Sequence, residues 1–277
     1  MPLALAASTR STLAEARQVH VAVPSTNGPH VTPELYAWSG DRLWFASATD
    51  TLKAAVLRRD PRVGAVVGVP GRRVLLAGEV EVFDPLDPVG LARRPGRLPA
   101  AVAGLAQFTV RNAADLLAFG ADVVTGRLGC RLPPVRLLFA LTPRCALTIE
   151  DEAVIDAVGG WSSLGTEPAG ASVADVELAH GGVAAVLAVP GPIAVPGRWF
   201  ADERGLHVPR ALLPLVPSGR FDLGLVVDEY AAPGPAAKRG TLLRGTGRLA
   251  ADGAAVIEVD TERRVEWDGV ETESDAG

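Results

Sequence analysis

Hydroxyl side chains and a lysine lie close together in the run Ser47-Ala48-Thr49-Asp50-Thr51-Leu52-Lys53. The run follows a strand-like stretch at residues 42–45 and opens a helix-like stretch at residues 53–59, for which Asp50 is the expected N-cap and Pro61 the end. An ammonium group and hydroxyls at such a junction can bind a phosphate dianion. The alternative is that Lys53 is a solvated surface residue.

Lysine is rare in this chain, which makes its two occurrences more notable. Of the 27 basic residues only Lys53 and Lys238 are lysines, and arginine is used everywhere else. The four histidines, His20, His30, His180 and His207, have no metal-ligand spacing, and we expect ordinary structural roles for them. No metal site is therefore expected.

Composition indicates a folded chain of one large or two ordinary domains. It has 277 residues, of which 48% are hydrophobic and 21% charged. The net charge of -5 argues against a nucleic-acid partner. Cys130 and Cys145 imply neither a metal site nor a disulfide framework, so we expect a cytoplasmic protein. The apolar stretch at residues 98–124 carries Arg111, Asp115 and Asp122, so no membrane span is expected.

Similar blocks of residues occur twice in the same order, which predicts an internal duplication. Gly28-Pro29, Tyr36 and Leu43 match Gly191-Pro192, Trp199 and Leu206 at unbroken spacing. Three further blocks match in order: residues 63–67 with 223–227, 75–78 with 242–245, and 138–142 with 256–260. We expect a first unit over residues 1–150, a linker over 151–180, a second unit over 181–268 and a flexible acidic tail over 269–277.

Each unit is predicted to be a β-barrel, and the chain to be mainly β with helices (α+β). Strands are expected in the first unit at residues 18–24, 30–38, 42–47, 63–69, 73–83 and 135–149. Six antiparallel strands of this length tend to close into a barrel, which removes exposed edges. An insertion at about residues 96–130 has apolar residues at helical spacing and predicts one or two helices. A capping box of Thr12 and Glu15 predicts a helix at residues 13–17.

The first unit resembles the pyridoxamine 5'-phosphate oxidase-like, flavin-binding split barrels, which include the flavin/deazaflavin oxidoreductases of actinobacteria. The resemblance covers residues 19–82 in the family's order and spacing. It rests on Val19-His20-Val21-Ala22-Val23, Gly28-Pro29-His30-Val31-Thr32-Pro33, Leu43-Trp44-Phe45, Thr51-Leu52-Lys53, Arg58-Arg59-Asp60-Pro61-Arg62-Val63 and Leu76-Ala77-Gly78-Glu79-Val80-Glu81-Val82. With the duplication, it implies two tandem split barrels that form an intramolecular pseudo-dimer.

The resemblance also implies a cofactor and a set of residues around it. Members of the family pair two barrels and hold FMN between them, and the deazaflavin F420 is the alternative. The residues carried over are Ser47, Thr49, Thr51 and Lys53 for the phosphate, Thr32, Pro33 and Glu34 for the edge of the ring, Arg73 for a polar contact, and Trp199 and Arg210 as contacts from the second unit. The alternative for Trp199 is an aromatic residue of the core or of the packing between the barrels. Hydride chemistry would belong to the cofactor, and no catalytic side chain is expected.

Two departures from the family limit what is expected. Pyridoxamine phosphate oxidases have an arginine before the phosphate lysine, where this chain has Leu52, and their C-terminal substrate motif has no counterpart here. That activity is therefore not expected. The second unit reads Pro209-Arg210-Ala211-Leu212-Leu213-Pro214-Leu215 and lacks both hydroxyls and lysine, so it is expected to be degenerate.

Three functions remain open on the sequence. The first is an FMN-dependent oxidoreductase acting on an unidentified small molecule, with F420 as a variant if Arg58, Arg59 and Arg62 receive its glutamate tail. The second is a flavin- or haem-binding sensor or storage protein without turnover. The third is a split-barrel protein without a cofactor. The chain is expected to act as a monomeric pseudo-dimer or as a homodimer.

Overall fold

Two antiparallel sheets dominate the part of the chain that the computed structural model describes. The structure describes residues 3–84, 87, 96–126, 136–165, 182–230, 232–234, 238–251, 255–268 and 271–276. Cys130, His180, the end of the predicted insertion and the second half of the predicted linker lie outside these residues. The described part is mainly β with a few helices, as the sequence predicted.

The first sheet closes into a six-stranded barrel. Its strands are β1 (Gln18–Val23), β2 (His30–Ser39), β3 (Arg42–Ala48), β4 (Arg62–Val69), β5 (Arg72–Phe83), β6 (Arg136–Glu150) and β7 (Ala153–Gly159). Their order is β3-β2-β1-β4-β5-β6-β7, and pairing of β3 with β6 closes the barrel. Alternate residues of β1, among them Val19, Val21 and Val23, fill its interior. β7 extends the sheet beyond the barrel and lies in the range expected to be a linker.

The second sheet repeats this topology. Its strands are β8 (Val183–Val189), β9 (Ile193–Phe200), β10 (Gly205–His207), β11 (Phe221–Tyr230), β12 (Lys238–Leu249), β13 (Val256–Asp268) and β14 (Glu271–Ala276). The order is β10-β9-β8-β11-β12-β13-β14, and β10 pairs with β13. The tail expected to be flexible thus contains β14, an edge strand held by its backbone pairing with β13.

Strand register supports the duplication in detail. A register shift lies between Ala77 and Gly78 in the first barrel and between Arg244 and Gly245 in the second, at matching positions of β5 and β12. The predicted duplicated split-barrel architecture is therefore confirmed: the two closed six-stranded barrels are consistent with tandem split barrels.

One part of the predicted match between the two units is wrong: the spacing between Trp199 and Leu206 differs from that of the first unit. Phe45 pairs with Tyr36 and Phe139, whereas Leu206 pairs with Trp199 and Ile257. Since Trp199 is the counterpart of Tyr36, Leu206 corresponds to Phe45 and not to Leu43. The β9–β10 hairpin is thus two residues shorter than the β2–β3 hairpin, a difference that the apolar pattern of short strands does not reveal.

The two barrels contact each other reciprocally through equivalent glycines. A Cβ added to Gly64 of β4 would lie 2.5 Å from the carbonyl oxygen of Pro192. A Cβ added to Gly224 of β11 would lie 2.5 Å from the carbonyl oxygen of Pro29. Each barrel therefore packs its glycine against the Gly-Pro turn of the other, as expected for two units related by an approximate two-fold axis.

The described part of the chain has four α-helices: α1 (Ala7–Glu15), α2 (Leu52–Leu57), α3 (Arg97–Arg111) and α4 (Ala113–Val124). The N-terminal helix begins earlier than predicted and ends at Glu15. Thr12 lies inside it and donates to the carbonyl oxygen of Ser8 at 3.1 Å, so Thr12 is not an N-cap. None of the helices described could span a membrane, because each is too short or not apolar enough.

The predicted insertion forms two helices, α3 and α4, which connect the two barrels. Gly104 of α3 lies so close to the ring of Trp44 on β3 that an added Cβ would be 2.4 Å from it. Asp115 of α4 accepts a hydrogen bond from the Tyr230 hydroxyl at 2.7 Å and one from the Gly234 amide at 3.2 Å. Helices inserted in the first barrel therefore contact the β11–β12 connection of the second.

Candidate functional site

Most of the predicted site residues line a cavity of about 360 Å³ at the junction of the two barrels. We call it the lysine cavity. The described residues that line it are His30, Thr32, Pro33, Glu34, Ser47, Thr51, Leu52, Lys53, Lys238 and Trp267. Its volume lies in the range of about 300–1,000 Å³ that is typical of small-molecule sites.

Lys53 is buried at the wall of this cavity, with only 3% of its surface exposed. Its ammonium group donates to the Thr32 hydroxyl at 2.6 Å and forms an ion pair with Glu34. The alternative of a solvated surface lysine is therefore wrong. An ammonium group at this depth requires an anionic partner, because burying an uncompensated charge costs several kcal/mol, roughly.

Helix α2 begins differently from the sequence prediction. Thr51, and not Asp50, is the N-cap: its hydroxyl accepts from the Ala54 amide at 3.2 Å and donates to the carbonyl oxygen of Ala48 at 2.9 Å. The Ser47 hydroxyl lies 3.1 Å from that of Thr51. This short helix and the end of β3 therefore place two hydroxyls and the lysine in one wall of the cavity.

His30 contributes no charge to the cavity at neutral pH. Burial, followed by the nearby charges of Arg244 and Lys53, lowers the pKa of His30 from 6.5 to about 3. Its Nδ1 accepts a hydrogen bond from Arg244 of β12 at 2.7 Å, which requires the neutral ring. The His30–Arg244 pair also joins the two barrels beside the cavity.

The second barrel contributes Lys238 and Trp267 to the lysine cavity. Trp267 of β13 packs over Gly240 of β12, where an added Cβ would lie 2.3 Å from the indole ring. Lys238 is half-buried, and burial lowers its pKa, partly offset by Glu34, Asp115 and Asp228. Both lysines of the chain thus line one cavity.

Four of the predicted site residues do not line this cavity. Thr49 is half-buried just beyond β3. The Arg73 guanidinium donates to the backbone carbonyl oxygen of the preceding residue, Arg72, at 3.1 Å. Trp199 packs against the core of the second barrel, and Arg210 is exposed at the start of the 3-10 helix Arg210–Leu215.

The structure thus places different residues of the second barrel at the lysine cavity, and the predicted cofactor contacts of Trp199 and Arg210 stay a prediction. Lys238 and Trp267 face the cavity, whereas Trp199 and Arg210 do not line it. The rarity of lysine was a signal for Lys238. No pattern in the sequence distinguishes Trp267 from the other tryptophans, because its position depends on how the barrels pair.

A second cavity of about 280 Å³ lies beneath the inserted helices. We call it the helix cavity. The described residues that line it are Glu34, Leu35, Ala46, Phe108, Asp115, Leu116, Phe119, Arg136, Gly234 and Lys238. It shares Glu34 and Lys238 with the lysine cavity, so the two cavities adjoin at these side chains.

The arginines considered for a glutamate tail, Arg58, Arg59 and Arg62, do not line either cavity. Arg58 forms an ion pair with Asp84 at 3.1 Å, and Arg62 forms one with Asp60 at 2.6 Å. Within the described part of the chain, no three His, Cys, Asp or Glu side chains come together as a metal site.

The chain shows a distant likeness to several solved structures. An F420 reductase matches with a TM-score of 0.35 and 20% identity over 51% of this chain and 98% of its own. A pyridoxamine 5'-phosphate oxidase-related, FMN binding protein from Nostoc punctiforme matches with a TM-score of 0.35 and 20% identity, over 51% of this chain and 78% of its own. A heme binding protein from Mycobacterium smegmatis matches with a TM-score of 0.37 and 14% identity, over 56% of this chain and 59% of its own. No family model matches the chain, and no curated protein does.

Proposed function

We propose that this chain binds a flavin-type cofactor in the lysine cavity, FMN in the first instance, and acts as an oxidoreductase on a small molecule. The observation that carries the proposal is the position of Lys53. Its ammonium group is buried at the wall of a cavity to which both barrels contribute. A single chain supplies both barrels, so the site needs no second copy.

The residues of the cavity fit a phosphate monoester in their chemistry. Two ammonium groups and the Thr32 hydroxyl can donate hydrogen bonds, and among the described lining residues Glu34 is the one carboxylate. The Thr51 hydroxyl already donates to the carbonyl oxygen of Ala48, and the Ser47 hydroxyl bonds to that of Thr51, so both would have to exchange these partners for the phosphate. His30 is neutral, because its pKa lies at about 3. The balance of formal charge is therefore positive, which suits an anion. Glu34 competes with that anion for Lys53.

Each side chain then has a physical role toward the bound group. Lys53 and the neighbouring hydroxyls would hold the phosphate, while Trp267 and Pro33 would provide flat apolar surface. The flavin, when bound, would supply the hydride-transfer chemistry. The protein would position it and exclude water at the junction of the barrels, which explains why the site needs no side-chain acid–base pair.

The proposal is tested by titrating the purified full-length chain with FMN and, separately, with F420, while following flavin fluorescence. Saturable binding of one of them at a stoichiometry of one per chain is expected. Turnover of the loaded protein with NAD(P)H, or with reduced F420, then distinguishes an oxidoreductase from a sensor or storage protein. Failure of both cofactors to bind would overturn the proposal.

A cofactor-free protein is the second candidate, and one observation favours it. Lys53 already has an anionic partner in Glu34, so the buried ammonium does not need a ligand to be compensated. The same titration decides between the two, because a cofactor-free barrel leaves the fluorescence of both flavins unchanged.

A further inference from the structure

We infer that the helix cavity binds a small molecule with one flat apolar ring and one carboxylate group. The apolar part of the inference comes from the walls of the cavity. Phe108 and Leu116 of the inserted helices, together with Phe119, face Leu35 and Ala46 of the first barrel across it. The volume of about 280 Å³ limits the occupant to a molecule of about one ring.

The two carboxylates of the helix cavity are already engaged. Glu34 forms the ion pair with Lys53. Asp115 accepts hydrogen bonds from the Tyr230 hydroxyl at 2.7 Å and from the Gly234 amide at 3.2 Å. A cationic ligand would therefore have to displace existing partners, which would cost much of what its new contacts contribute.

The two cations of the cavity are in a different situation. Among the described residues, neither the Lys238 ammonium nor the Arg136 guanidinium forms an ion pair, although Glu34, Asp115 and Asp228 act on Lys238 by charge from farther away. Both cations lie over aromatic rings: Lys238 is 5.8 Å from the ring centre of Tyr230, and Arg136 is 5.9 Å from that of Phe119. Cation–π contacts leave most of the donor N–H groups available. Two cations with available donors beside an apolar wall favour an anion with an apolar body.

The planar guanidinium of Arg136 favours a carboxylate over a point anion, because its parallel N–H groups match the two oxygens of a carboxylate. Burial lowers the pKa of Lys238, and an anion beside it would restore the ammonium form. The ligand would thus lie at the boundary of the two cavities. Its role as the substrate of the proposed oxidoreductase rests on the proposed function, whereas its binding does not.

The experiment is isothermal titration of the full-length chain, without added flavin, using three probes of equal size: phenylacetate, the neutral phenylacetamide and the cationic phenethylamine. We expect phenylacetate to bind about tenfold more tightly than phenylacetamide, as for one charge-assisted hydrogen bond. The amine should bind most weakly. Equal affinities for all three, or no detectable binding of phenylacetate, would overturn the inference.

Variants identify the cavity as the place of binding. Arg136 is exposed, so Arg136→Gln leaves the core unchanged; it should weaken phenylacetate binding about tenfold and leave phenylacetamide unaffected. Lys238→Met should act in the same direction. Arg220→Gln is the matched control, an exposed arginine of the second barrel that does not line the cavity. The assignment would be contradicted if Arg220→Gln weakened phenylacetate binding, or if Arg136→Gln and Lys238→Met left it unchanged.

Phenylacetate binding and cofactor binding can succeed or fail independently of each other. A chain that binds phenylacetate but neither FMN nor F420 would refute the cofactor and retain the ligand site. A chain that binds FMN but not phenylacetate would refute the ligand site and retain the cofactor.

Discussion

Lys53 and Lys238 line the same cavity from different barrels. Lys53 reaches it from α2 in the first barrel, where Glu34 compensates its charge. Lys238 reaches it from the beginning of β12 in the second, where its ammonium lies over the ring of Tyr230.

Lys53→Met should weaken the binding of FMN by roughly 1.5–3 kcal/mol, the range for a hydrogen bond to a charged group. The physical reason is the loss of the buried ammonium that would hold the phosphate. Fluorescence titration measures the dissociation constant. Arg59→Gln is a suitable control, because Arg59 is an exposed cation just after the same helix. An unchanged dissociation constant in Lys53→Met would show that the phosphate lies elsewhere.

Glu34→Gln should have opposite effects on stability and on ligand binding. Without the carboxylate, the buried Lys53 loses its anionic partner, and the free energy of unfolding should fall by about 3 kcal/mol. The same change removes the competitor of the phosphate, so FMN should bind more tightly. Urea unfolding and fluorescence titration measure the two quantities.

The double variant Glu34→Gln with Lys53→Met is the control for this pair. It removes both charges, so its stability should recover part of what Glu34→Gln loses. Weaker FMN binding in Glu34→Gln would mean that Glu34 contacts the ligand instead of competing with it.

Lowering the pH should destabilise the protein through His30. Its pKa is about 3 in the folded chain and 6.5 ordinarily, so between these values the unfolded chain binds more protons. The stabilisation is therefore complete above about pH 6.5 and is lost as the pH falls toward 3, by an amount on the order of a few kcal/mol. Urea unfolding at pH 7 and pH 4.5 measures the loss.

Other carboxylates and histidines also titrate in this range, so the difference between variants is what matters. His30→Gln retains an acceptor for Arg244 but has no proton to take up. Its stability should fall less between pH 7 and pH 4.5 than that of the unmodified chain. Equal losses in both proteins would exclude His30 as the source.

Gly64→Ala and Gly224→Ala should both destabilise the pairing of the barrels, by roughly 1–3 kcal/mol each. In either case the new methyl group would approach a backbone carbonyl oxygen of the opposite barrel to 2.5 Å, and backbone cannot yield as a side chain can. Thermal unfolding measures the effect. Gly120→Ala in α4 is the matched control: it has open space around it, and a helical alanine should leave stability unchanged or slightly higher. Similar behaviour of all three variants would contradict the reciprocal contact.

The first barrel was the more predictable half of the fold. Its strands are long and several of them are separated by turn residues, so their ends were predicted to within one residue, as at β3 and β5. The sequence match placed the short strand β10 two residues out of register with β3, because three residues carry too little apolar pattern to define a pairing. The tail was predicted to be flexible because it is polar, whereas β14 is held by backbone hydrogen bonds, which leave no mark on composition.

The cavity was predictable only in the part that is local in sequence. Thr32, Glu34, Ser47, Thr51 and Lys53 line it as the matched motif indicated, although their role in holding a cofactor stays a prediction. They come from adjacent strands and the short helix that follows, so chain neighbours determine their proximity.

By itself, the sequence determined the two barrels, their order along the chain and one wall of the cavity, because hydrophobic periodicity and turn residues act over short distances. Only the tertiary structure decided that Lys238 and Trp267 form the opposite wall, and that Glu34 compensates Lys53. These pairings depend on how two closed barrels pack through Gly64 and Gly224. Such packing is set by surface shape across the whole junction, which no local pattern of residues records.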